Sequence, residues 1–185
     1  MPTREEALAL LKQYNENPAL VQHGLQVEAC MRYFAAKFGG DMEQWGIVGL
    51  LHDLDYGQYP EEHCTKAAEI MTGAGYSAEI IRAMMSHAWG ICTDVEPLSA
   101  MEKTLYAVDE LSGLINACVL IRPSKSIMDL GLKSVKKKFK TKSFAAGVDR
   151  ETVRKGANML GIELDVLINE VIEAMKVDAE AIGVA

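Results

Sequence analysis

The sequence predicts an all-α protein. Helix-start signals recur along it: capping boxes at Thr3/Glu6 and Ser99/Glu102, and single caps at Asn17, Asp41, Ser77 and Asp149. No run of strand-like alternation exceeds a few residues, and neither Asn-Gly nor Asp-Gly occurs to make a tight hairpin. An apolar fraction of 49% with 24% charged residues is that of an ordinary soluble globular chain.

The elements follow in order. Thr3 and Glu6 open a first helix that reaches about Tyr14. Asn17-Pro18 opens a second, because proline suits the first helical turn, and Gly39-Gly40 ends it. Asp41 caps a third, "MEQWGIVGLLHDL". A fourth covers about Glu61 to Thr72, ahead of "GAGY". That stretch lacks the order of a phosphate loop, and no strand precedes it. Ser77 caps a fifth, "AEIIRAMMSHAW". The Ser99/Glu102 box starts a long helix through "TLYAVDELSGLINACVLI" to Pro123. The segment 124–147 is the least regular, a short helix with loops. Asp149 then caps "RETVRKGANMLG", and a last helix spans Glu163–Lys176.

At 185 residues the chain reads as one domain, 1–185, large enough to bury a core without disulfides or a structural metal. A metal would serve chemistry rather than folding. The net charge of −7 argues against general nucleic-acid binding but leaves room for a local basic patch. Cys30, Cys64, Cys92 and Cys118 form no C-x-x-C pair and suggest reduced thiols. No apolar stretch resembles a signal peptide or a membrane span. The expectation is a soluble cytoplasmic protein with no membrane partner; a homo-oligomer is compatible with it.

The chain has four histidines: His23, His52, His63 and His87. Taken singly, most have a plain account. His23, beside Gly24, reads as a core histidine with a satisfied ring. His87 reads as a cation at a helix C-terminus. His63, near a helix start, is poorly explained that way, whereas a neutral imidazole ligand has no such conflict. His52 and Asp53 are adjacent at a helix end, where both side chains can turn toward one point. Asp53 and Asp55 are spaced to diverge, so only one is expected at a metal. Asp109 lies mid-helix among Leu105, Val108 and Leu111, and a buried carboxylate needs a partner or a cation. Lys103 or Arg122 could be that partner.

In order these residues read H…HD…H…H…D. The pattern resembles the HD-domain superfamily of metal-dependent phosphohydrolases, over roughly residues 18–125. "LLHDLDY…PEEHC…AAEIM" and "AVDELSGLI…RPSKSI" resemble a small bacterial branch of it. The resemblance implies an HD-type helical bundle with its metal-site core at about 18–125 and a C-terminal helical extension at 126–185. It implies one or two divalent transition metal ions (Mn, Fe, Zn, Co or Ni). His23, His52, Asp53 and Asp109 would hold the first ion. His63 and His87 would hold the second, with Asp53 bridging. The implied reaction is hydrolysis of a small phosphate ester or nucleotide by a metal-bound or metal-bridging hydroxide.

Asp53 and Asp55 are the catalytic candidates. Asp55, Glu61 and Glu62 could act as general acid or orient water, or be solvated turn residues. Lys66, Arg122, Ser124 and Lys125 are candidate contacts to a small phosphorylated substrate. The five lysines from Lys136 to Lys142 form either a solvated helix face or a gatepost for an anion. Tyr56, Tyr59 and Trp89 could stack on a base or pack at a rim. Two rivals share the ligand set: a dinuclear-iron oxygenase of the same superfamily, and a non-catalytic metal-containing ligand sensor.

Overall fold

A computed structural model describes residues 2–185; residue 1, where the expected domain span begins, lies outside them. Among the described residues there are nine α-helices and no strand. They are α1 (Arg4–Tyr14), α2 (Pro18–Phe38), α3 (Met42–Leu51), α4 (Thr65–Gly73), α5 (Ala78–Met85), α6 (Ala100–Leu120), α7 (Leu132–Lys140), α8 (Arg150–Leu160) and α9 (Leu164–Val177).

The caps act as their residue types predict. The Thr3 and Ser99 hydroxyls accept from the Glu6 and Glu102 amides, and the two glutamates accept in return from Thr3 and Ser99 N–H. Asn17, Asp41, Ser77 and Asp149 accept from first-turn amides of their helices. Each such cap stabilises its helix by about 1 kcal/mol.

Two boundaries differ from expectation. The fourth helix begins at Thr65, not Glu61. Pro60–Glu62 form a separate 3₁₀ turn, and Cys64 breaks the path with φ +69°. The fifth stops at Met85, and Ser86–Ala88 tighten into a 3₁₀ turn that carries His87. The irregular segment holds α7, which buries Val135 and Phe139 and turns its lysines outward or along the surface.

The helices α2 and α6, 21 residues each, run through the core. Helix α3 packs on α2, α8 packs on α6, and α9 touches both long helices. From Trp45 to Leu51, helix α3 is apolar on every face and wholly buried. The last residues close back on α2. The Gln22 amide donates to the carbonyls of Ile182 and Gly183, and Ile127 N–H donates to Val184. No helix among the described residues is long and apolar enough to cross a membrane.

Two glycines let α2 and α3 approach. A Cβ at Gly24 would sit 2.8 Å from the Leu50 carbonyl oxygen, and one at Gly49 would sit 2.9 Å from that of Val27. Replacing glycine by alanine in a helix ordinarily gains up to about 1 kcal/mol. At Gly49 the sign reverses, because backbone must move. Gly49→Ala is expected to lower the unfolding free energy by about 1–3 kcal/mol in urea titrations. Gly113→Ala in α6 meets nothing within 4 Å and is expected to be neutral or stabilising.

Candidate metal centre

The close α2–α3 contact sets His23 beside His52. Their Nε2 atoms are 3.2 Å apart, and Asp109 Oδ1 from α6 lies 2.9 Å from the first and 3.2 Å from the second. Asp53, just past the end of α3, presents Oδ2 to this group, 3.4 Å from His52 and 3.9 Å from His23. Its other oxygen, Oδ1, is 3.5 Å from Nε2 of both His63 and His87. Those two nitrogens are themselves 3.2 Å apart. Six side chains from five stretches of the chain thus converge, with the Asp53 carboxylate at the centre.

The outer nitrogens show why the inner ones face inward. His52 Nδ1 lies 2.7 Å from the Gly49 carbonyl, and His87 Nδ1 lies 2.6 Å from that of Met84. A carbonyl only accepts, so both Nδ1 atoms carry hydrogen, and in the neutral ring Nε2 offers a lone pair. His63 Nδ1 is held in the same way by Asp55 Oδ1 at 2.8 Å. The cluster is then a set of acceptors pointed at one another, which repel unless a positive charge sits among them. His23, His52 and Asp109 form one group able to hold a metal ion, and Asp53, His63 and His87 form another. Mixed imidazole and carboxylate donors suit divalent transition metals.

The charges agree. Burial opposes ionisation of His52, but Asp53 and Asp109 outweigh it and lift its pKa well above the ordinary imidazole range. Burial likewise opposes the charge on Asp53, yet His52 and His87 hold it well below the usual carboxylate range. Asp109 is depressed too, against its burial, by His52 and His23. The carboxylates are anionic at neutral pH and attract cations.

A cavity of about 530 Å³ opens onto the cluster. Tyr56 and Pro60 line it after α3, Ile91 and Cys92 after α5, and Glu110 and Gly113 along α6. Val148 and Thr152 complete the wall from the segment beyond residue 125, which the sequence places outside the site. Tyr56, a stacking candidate, sets its ring edge-on to His63 at 5.2 Å. Trp89 instead carries the Lys155 ammonium over its ring at 3.5 Å.

Several expected roles change. Asp55 is neither solvated nor at the cluster. It is wholly buried, and its second oxygen accepts from Ala67 N–H at 2.8 Å. It therefore caps α4, where Cys64 offers no side-chain cap, and fixes the His63 ring. Glu61 and Glu62 are exposed. Asp109 pairs with His23 and His52 rather than with Lys103 or Arg122.

The four substrate candidates do not line the cavity. Lys66 pairs with Glu69 and Glu62 on its own surface. Arg122 and Ser124 both bond Asp129 in the loop after α6. Lys125 belongs to the same exposed loop. For the last three the reason is helix rise: at 1.5 Å per residue, the end of α6 lies about 16 Å beyond Asp109.

Two features lie beyond the sequence expectations. Glu110 faces the cavity, and burial together with Asp109 pushes its carboxyl up to about 7. His63, Cys64 and Cys92 make a third group of closely spaced donors. The only hint in the sequence is that each cysteine follows a ligand-type histidine within five residues.

Ribonuclease Y proteins are similar to part of this chain. That of Pelobacter propionicus is 33% identical over 103 residues, 54% of this chain and 19% of that protein. Those of Geotalea uraniireducens and Geobacter sulfurreducens are each 32% identical over the same length and shares. The chain spans about a fifth of the length of the curated relatives it matches. No protein-family model matches the chain, and no solved structure does.

Asp55→Ala should strand the Ala67 amide and release His63, lowering unfolding free energy by about 1–3 kcal/mol in thermal or urea melts. Asp55→Asn keeps an acceptor and should lose less. Equal stability of all three proteins would contradict this role.

Proposed function

We propose that this chain is a metal-dependent phosphohydrolase that cleaves phosphodiesters. The observation that carries this reading is the convergence of four imidazole Nε2 atoms on the two oxygens of Asp53 and on Asp109. His23, His52, Asp53 and Asp109 would hold one divalent ion, and His63, His87 and Asp53 a second. Such ions supply Lewis acidity toward a phosphoryl oxygen and bring the pKa of water near neutrality.

The residues of the chain do the positioning. Gly49 and Met84 carbonyls fix the tautomers of His52 and His87, and Asp55 fixes His63. Asp53 faces both donor groups with one oxygen each and sets their separation. The open cavity admits a substrate directly over these side chains.

The same donors would serve a di-iron oxygenase. The partial similarity to proteins named ribonucleases, whose name denotes cleavage of phosphodiesters, favours hydrolysis. It also favours a diester over a monoester.

The test is turnover of bis(p-nitrophenyl) phosphate by chelator-stripped protein reloaded with Mn, Fe, Zn, Co or Ni in turn. Stripping is expected to abolish hydrolysis, and at least one ion is expected to restore it. Asp53→Asn should remove activity and bound metal together. Asp55→Asn should weaken metal retention about 10–100-fold. Hydrolysis that persists after stripping, or no phosphoester cleaved with any ion, would end this reading.

A further inference from the structure

A second cleft, of about 400 Å³, lies beside the candidate metal centre, between the end of α7, the loop 141–149 and the start of α8. Val148 borders both cavities. Glu110 of the first accepts from the Asp149 backbone N–H of the second at 3.1 Å. The two spaces are therefore neighbours across one side chain.

Their charges differ in sign. The first is lined by Asp53, Asp109 and Glu110 and by no lysine or arginine among the described residues. The second is lined by Lys140, Lys142, Arg150 and Arg154 against two acids, Asp149 and Glu151, so its balance is positive. Two of these cations have structural work. Arg150 donates to the carbonyls of Phe144, Ala145 and Val148 and so holds the loop in shape. Arg154 pairs with Glu151 and covers the Phe139 ring. The acid Asp149 is likewise committed, to the first turn of α8.

Lys140 and Lys142 remain. Both are exposed, and among the described residues neither pairs with a carboxylate; their neighbour Lys136 pairs with Asp165 instead. Two available ammonium groups thus border a concavity that adjoins the acidic site, on a chain whose net charge is −7. The positive charge a substrate phosphate needs from the protein sits one cleft away from the candidate centre.

We infer that Lys140 and Lys142 bind a second phosphate of the substrate, next to the one being cleaved. The substrate class is then a phosphodiester chain, a short oligonucleotide, rather than an isolated phosphate ester. This inference rests on the phosphohydrolase reading and narrows it.

The experiment compares metal-loaded wild-type protein with a Lys140→Ala/Lys142→Ala double variant. One substrate is bis(p-nitrophenyl) phosphate, which has a single phosphate; the other is a fluorescein-labelled pentaribonucleotide. The double variant should raise KM for the pentanucleotide about tenfold and leave both constants for the small diester unchanged. The slope of log affinity against log salt should shrink by about 1.4, from two lost contacts to a single strand. Lys140→Arg/Lys142→Arg should restore both. Equal losses on the two substrates, or an unchanged KM for the pentanucleotide, would overturn the inference. Anisotropy of the same oligonucleotide, read without turnover, separates the two proposals. If no diester is cleaved, the phosphohydrolase reading falls while weaker binding by the double variant still supports the cleft. Equal binding by both proteins overturns the cleft whatever the turnover.

Discussion

The contact on which the rest depends is the glycine-to-carbonyl approach of α2 and α3. Gly24 faces the Leu50 carbonyl, and Gly49 faces that of Val27, at distances no side chain tolerates. His23 precedes the first glycine and His52 follows the second by three residues, so their separation is set by backbone rather than by flexible side chains. Gly49 serves twice, since its carbonyl also orients the His52 ring. A helix as uniformly buried as α3 has little freedom to slide. The histidine pair inherits that rigidity, and Asp53 leaves the helix end already aimed between two groups of donors.

Around that fixed pair the other donors are held by local devices. The 3₁₀ turn after α5 carries His87 and offers its ring the Met84 carbonyl. Asp55 ties His63 to the first turn of α4, so the positive-φ Cys64 sits between two restrained neighbours. A non-glycine residue in that conformation costs energy. The Asp55 bonds on either side hold it in place.

What was legible in the sequence was what local chemistry encodes. Capping residues mark most helix starts, because a side-chain oxygen two or three residues before an amide is a short-range device. The adjacent His-Asp pair and the other histidines stood out because such residues are scarce in apolar helices. The fourth helix starts later than its residue types suggest, because Glu61 and Glu62 look like a first turn, while the positive φ of Cys64 leaves no trace in sequence. Asp55 was ambiguous for a similar reason: two aspartates spaced by one residue look alike until the fold sends one to the cluster and buries the other. Arg122 and Lys125 drew attention by type, but helix rise removes them from the cavity. Val148 and Thr152 could not be found at all, since only the packing of α8 on α6 brings them to its wall.

The acidic lining of the cavity has one further consequence. A pocket walled by the anionic Asp53 and Asp109 disfavours an anion that reaches it before a cation does. If the chain works as proposed, a cation would have to arrive before a phosphate could settle. On the proposed reading, ion supply would then limit hydrolysis as much as substrate does.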